Sequence, residues 1–129
     1  MKVLLLVLLL LFPVSASAHY EGELLPDSVA VTEYQMVIRL NPKDTLTRNK
    51  LGMVYVRQDK PDKARAEFIE ILRISPADFD ALDSLGIVAD RQGRYAEAAD
   101  WFRKALKVRP GDAGAKQRLE RALSKSGKR

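Results

Sequence analysis

The same residue types return in this chain every 34 positions. Pro42, Pro76 and Pro110 mark the period, and Asp44, Asp78 and Asp112 keep it two places later. Ala30, Ala64 and Ala98 form a further column, as do Tyr34, Phe68 and Phe102, and Leu40, Ile74 and Val108; Gly52 and Gly86 form a sixth. Six columns sharing one period are a duplication of structure rather than an accident of amphipathic patterning. This constrains the fold more than any local propensity does, because a unit so short cannot bury an apolar face alone and has to stack on its neighbours.

Each unit reads as a helix, a tight turn and a second helix. In the unit 45–78, Asp44 is placed to cap a first helix whose apolar positions Leu51, Val54 and Tyr55 recur at three and four residues, and which runs to about Gln58. Asp59 to Pro61 supply the turn, and proline is tolerated there because the first turn of a helix has spare N–H groups. A second helix from about Asp62 to Ile74 puts Ala64, Phe68, Ile71 and Leu72 on one face before Pro76 stops it. The unit 79–112 repeats the plan with Leu82, Leu85 and Ala89, a turn at Gly93, then Ala98, Phe102, Ala105 and Leu106. Gly52 and Gly86 fall inside first helices, where glycine costs about 1 kcal/mol against alanine. That cost is explained if the partner helix passes too close for a side chain.

The residues Leu51, Gly52, Tyr55, Ala64, Phe68 and Pro76, and again Leu85, Gly86, Gly93, Tyr95, Ala98, Phe102, Ala105 and Pro110, resemble the tetratricopeptide repeat pattern. Arg48 stands where the family prefers a large aromatic, Ile71 where it prefers alanine, and Ala89 where it prefers tyrosine. The resemblance implies an all-α fold, a short superhelical solenoid of antiparallel helix hairpins. Residues 26–44 carry Ala30, Tyr34, Val37 and Ile38 in the register of a second helix and form an N-terminal half repeat. Residues 113–124, with Ala115, Leu119, Ala122 and Leu123 on an otherwise polar helix, suit the capping helix that closes a solenoid core against water.

Ahead of the repeats, residues 1–18 read as a secretory signal. Lys2 supplies a positive start, Val3 to Phe12 an apolar run, Pro13 a break, and Ala16 and Ala18 the small residues of a cleavage site, so that the mature chain begins at His19. Ten helical residues rise about 15 Å, too short for a hydrocarbon core of about 30 Å. The expectation is export to the periplasm or secretion, no stable membrane insertion after cleavage, a flexible stretch 19–25 and a basic tail 125–129.

Composition excludes most chemistry. There is no cysteine and one histidine, His19, so disulfide scaffolds, thiolate metal sites and thiol catalysis are out, and a terminal copper chelate would lack its usual second imidazole. No Ser/His/Asp set, Gly-rich phosphate loop or metal-spaced cluster is present. Asp80, Asp83 and Asp90 are expected on a solvated helical face with nothing to separate their pKa values. The chain therefore reads as a non-enzyme with no cofactor and no metal.

Function then has to lie in surface. The family geometry places first helices along the concave side of the solenoid, where Leu46, Asn49, Met53 and Val56 of one unit are followed by Asp80, Asp83, Ile87 and Asp90 of the next and by Gln117, Arg121 and Ser124. Asn49, Met53, Asp80, Asp83, Ile87 and Asp90 are the candidate partner-binding residues, with apolar anchors flanked by charge. Some family members clamp a C-terminal carboxylate with lysine, arginine and asparagine at matching places; Asp80 and Asp83 stand there instead. Trp101 is expected to pack on the next helix rather than to anchor a convex interface. Arg118, Arg121, Lys125, Lys128 and Arg129 read as a solvated basic end, not a nucleic-acid patch. The expected function is that of an adaptor for protein partners, with a structural subunit of a larger complex or homo-oligomer as the alternative.

Overall fold

The structure, a computed structural model, describes residues 26–127; the expected signal segment, the stretch up to residue 25 and the last two residues of the basic tail lie outside them. Every element among the described residues is a helix: α1 (Asp27–Leu40), α2 (Thr45–Arg57), α3 (Pro61–Ile74), α4 (Phe79–Arg91), α5 (Tyr95–Val108) and α6 (Ala113–Ser126). Each packs on the next in sequence, and α2 also meets α4. This is an all-α helical repeat solenoid, with α2 and α3 forming one hairpin and α4 and α5 the second. α6 runs two residues beyond the expected Ser124.

The repeat columns correspond to repeated local chemistry. Asp44, Asp78 and Asp112 each cap a first helix, their side chains accepting from the N–H of Thr47 at 3.0 Å, Ala81 at 2.9 Å and Ala115 at 2.8 Å. The Thr47 N–H and hydroxyl hold the Asp44 carboxyl below its ordinary pKa. First helices end alike too. Lys60 N–H returns to the Tyr55 carbonyl and Arg94 N–H to the Ala89 carbonyl, both at 2.9 Å, closing a six-to-one bond around a left-handed residue. That residue is Gly93 in the second unit (φ 74°) and Asp59 in the first (φ 55°).

Leu51, Ala64, Phe68, Ile71 and Leu85 are buried in one continuous core, and Ala98, Ala99, Phe102 and Ala122 extend it toward α6. Glycine is required in α2 and α4 for a reason more specific than close helices. A Cβ on Gly52 would stand 2.5 and 2.7 Å from ring carbons of Phe68, and one on Gly86 would be driven onto the Phe102 ring in the same way. The aromatic column thus lies directly against the glycine column within each hairpin. Arg48 replaces the family aromatic with an ionic tie: its guanidinium donates to the Pro42 carbonyl at 3.0 Å and to Glu67 at 3.0 Å. In the second hairpin Leu82 fills the same column as buried apolar surface.

Trp101 is half-buried where the apolar clusters of the two hairpins and of α6 converge. Its indole N–H donates to Glu97 at 3.3 Å, and the same carboxylate accepts from Arg65 of α3. The indole packs toward the next helix, α6, where it was expected, and also joins the second helices α3 and α5.

Candidate partner-binding groove

First helices α2, α4 and α6 form a row, and the candidate residues lie along it. Positions 35 apart face each other between successive first helices. Arg91 donates to the Val56 carbonyl at 3.4 Å, Arg118 pairs with Asp83, and Lys125 pairs with Asp90. This offset differs by one from the repeat period, because each new helix is displaced slightly around its predecessor.

The acidic face expected from Asp80, Asp83 and Asp90 needs correction. Only Asp80 is exposed. Asp83 is gripped by Nε and Nη2 of the Arg118 guanidinium, at 2.9 and 2.8 Å, and its side chain is 13% exposed. Burial pushes its carboxyl above the ordinary value, and the charge and hydrogen bonds of Arg118 pull the other way. Asp90 holds Lys125 at 3.4 Å. Arg118 and Lys125 thus belong to the helix row and not to a solvated tail; Lys125 also lies 5.0 Å from the Tyr95 ring centre, and Arg118 5.9 Å from that of Phe102.

The apolar candidates divide similarly. Val56, expected on the open face, is buried at 6% and packs in the core with Val88. Met53 is half-buried, its sulfur 4.0 Å from the Ser84 hydroxyl. Ile87 is half-buried against the cluster of Phe102 and Ala122. Leu46 stays 67% exposed, and with Asn49 and Met53 it borders a cleft of about 370 Å³ between α1 and α2. Further along, Ile87, Asp90, Arg118 and Arg121 border a second cavity of about 240 Å³. The two cavities divide the six candidates: Asn49 and Met53 share the first, Ile87 and Asp90 the second, and Asp80 and Asp83 line neither. Arg91 also lines the second cavity; the basic column Arg57, Arg91 and Lys125, which keeps the 34-residue period, was the signal in the sequence that could have singled it out.

Three comparisons bear on this architecture. The sequence pattern of the tetratricopeptide repeat matches residues 49–115. Among curated protein sequences none matches the chain. Among solved structures, the MamA protein superposes with a TM-score of 0.73 at 21% identity, over 78% of this chain and 55% of MamA. The chain thus spans about half the length of that neighbour. The OM64 TPR domain of Arabidopsis gives a TM-score of 0.73 at 24% identity, over 84% of this chain and 88% of that one. The first TPR of Spaghetti (RPAP3), bound to the HSP90 peptide SRMEEVD, gives 0.72 at 15% identity over 76% and 78%. At these identities the likeness is one of fold, while the sequence match covers more than half of the chain. With its stacked hairpins, capped first helices and rings seated on glycines, the chain belongs to the tetratricopeptide repeat family.

Proposed function

We propose that this chain is an exported, non-enzymatic adaptor that holds a segment of a protein partner along the row of first helices. The observation that carries the reading is the pair of cavities on that row, one edged by Leu46, Asn49 and Met53 and one by Ile87 and Arg121. Apolar side chains set in a charged rim are what an extended or helical segment uses for anchorage. The protein-binding role is the common one for this fold, and RPAP3 in complex with a peptide is one instance of it. The rim chemistry differs from the one first expected. With Asp83 and Asp90 occupied by Arg118 and Lys125, a basic residue of the partner is left with Asp80, while Arg91 and Arg121 offer places for a carboxylate.

The test begins with capture of a partner from the native envelope on the immobilised mature chain, followed by binding kinetics. Met53→Ala with Ile87→Ala should shorten the lifetime of the complex, and Asp80→Lys should change chiefly its association rate and salt response. Ile69→Glu, an exposed site on α3, should leave both unchanged. The reverse pattern would move the binding face to the second helices. Light scattering that showed self-association of the mature chain would favour the structural-subunit alternative. Export has its own check: the intact mass of the exported protein should begin at His19, and recovery of full-length chain in membranes would defeat it.

A further inference from the structure

The two complete hairpins show what a third one lacks. Phe68 lies on Gly52 and Phe102 on Gly86. Tyr34 of α1 stands in the same column, yet among the described residues no first helix precedes α1. Among the described residues the row of first helices is open at this end as well. On α4, Ser84, Val88 and Arg91 are among the residues that meet α2. Their counterparts one period earlier are Lys50, Val54 and Arg57, and these three, with Tyr34 and Leu46, line the cleft of about 370 Å³. The cleft is thus continuous with an established packing interface and lies where a preceding first helix would sit, on α1 at one side and α2 at the other.

We infer that this cleft takes a helix from a partner protein, which completes the half repeat by standing in as its first helix. The inference rests on the chain being a protein-binding module, and it does not depend on the cavity around Ile87. The chain's own first helices specify the occupant. Each carries leucine followed by glycine, with tyrosine or alanine four places after the leucine: Leu51, Gly52 and Tyr55, then Leu85, Gly86 and Ala89. A small residue is needed to seat the Tyr34 ring, and the leucine would rest on the face of Ala30 and Val37, as Leu51 does on that of Ala64 and Ile71. Two cations line the cleft; Arg57 is shared with Asp27 at 2.7 Å, whereas Lys50 has no ion-pair partner among the described residues. An acidic outer face on the incoming helix complements it.

Two nearer occupants fit poorly. A second copy would offer α6, a first helix without a hairpin partner among the described residues, but Glu120 stands there in the glycine column and would be driven onto the Tyr34 ring. The chain's own residues 11–23, in the same register, put Ser17 in the leucine column, Glu21 in the Tyr55 column and Leu10 at the cap. On cleavage after Ala18 residues 11–18 of that stretch, its leucine column included, would be gone in any case.

The probe is a helix-stabilised, labelled peptide of residues 78–92 of this chain, which carries Leu85, Gly86, Ala89 and the acidic residues Asp80, Asp83 and Asp90. Anisotropy and amide chemical shifts are recorded on the chain beginning at His19. Saturable binding is expected, with shifts confined to α1 and α2, and Gly86→Glu in the peptide should weaken it by about tenfold or more. On the protein, Tyr34→Ala should weaken binding, and the exposed change Lys50→Glu should do so and remove its salt dependence. Ile69→Glu, at an exposed position of α3, should leave it unchanged, and shifts confined to α1 and α2 separate this inference from the groove reading above. Absence of binding, equal binding of the Gly86→Glu peptide, or shifts centred on α4 and α6 would overturn the proposal. So would mass that grows with concentration, which assigns the cleft to a second copy, or tenfold weaker binding by a chain beginning at Met1, which assigns it to the chain's own leader.

Discussion

Gly86→Ala adds one methyl group at the tightest contact of the second hairpin. The new Cβ would stand 2.6 and 2.8 Å from Cδ1 and Cζ of Phe102 and be pressed against Cε1 as well, whereas non-bonded carbons settle at about 3.5–4.0 Å. The ring is 1% exposed and has to retreat by about 1 Å inside a packed core. Overpacking of this kind costs about 1–3 kcal/mol, against about 1 kcal/mol returned by alanine in mid-helix. Because three ring atoms are involved at once, the clash should win, for a net loss of about 1–2 kcal/mol. In a Phe102→Leu background the methyl meets an aliphatic side chain that turns aside. The propensity gain then survives, and Gly86→Ala becomes neutral or stabilising, so the two sites couple by about 1–3 kcal/mol, the size of the clash. Urea midpoints at constant m-value measure each corner of the cycle. Coincidence of Trp101 fluorescence with far-ultraviolet circular dichroism guards against separate unfolding of the two hairpins. Equal effects of Gly86→Ala in both backgrounds, or a stabilised single variant, would refute the ring-on-glycine account; Gly52 with Phe68 provides an independent repeat of the experiment.

Asp59 occupies the left-handed position that Gly93 holds in the next unit, so Asp59→Gly should raise stability by about 0.5–1 kcal/mol, read as a higher midpoint in thermal or urea unfolding. Asp112→Ala removes the cap of α6 and should cost about 1 kcal/mol, with hydrogen exchange accelerating in α6 before any other helix. The Arg65 guanidinium holds the Glu97 carboxyl below its ordinary value of 4.5. A depressed carboxylate contributes stability that is complete above its unfolded pKa and is lost as pH falls through the folded value. Denaturant midpoints should therefore decline below about pH 4.5, and Glu97→Gln should flatten that decline. Asp83 works in the opposite sense, since a carboxyl shifted upward by burial withdraws stability as pH rises; an unchanged acid limb in Glu97→Gln would contradict the assignment.

Most of the fold could be read in the sequence because its determinants are local. Asp44, Asp78 and Asp112 act on N–H groups three residues away, and the aromatic and glycine columns recur within a single hairpin. The row of first helices was harder to read, since its contacts follow the displacement of one helix on another. Asp83 and Arg118 are separated by 35 residues, one off the column spacing, so alignment by repeats leaves them unpaired and presents Asp83 as a free ligand. Val56 was misplaced for a related reason. α2 is covered by α1, α3 and α4 together, so its apolar residues are spread around the helix and no single stripe marks the buried side. Arg48 could be recognised as a departure from the pattern, but its tie to Glu67 and the Pro42 carbonyl is a matter of three-dimensional reach.

The 34-residue unit 79–112 carries its own stop for one helix and start for the next, because Asp112 caps α6 just as Asp78 caps α4. A tandem copy inserted after Asp112 would meet a competent cap at both seams, and its ring-on-glycine contact, Phe102 on Gly86, would travel inside the insert. The 35-residue offset would set Asp90 of the original against Arg91 of the copy, an ion pair of the kind Lys125 now supplies. Ile87 would meet Val88 of the copy, apolar against apolar. Asp83 of the original, set against Ser84 of the copy, would exchange the Arg118 guanidinium for a hydroxyl. Lengthening the row by one first helix is therefore a single genetic step that breaks no cap and keeps an ion pair at Asp90, so the length of the row is a quantity that recombination can adjust at the cost of one ion pair.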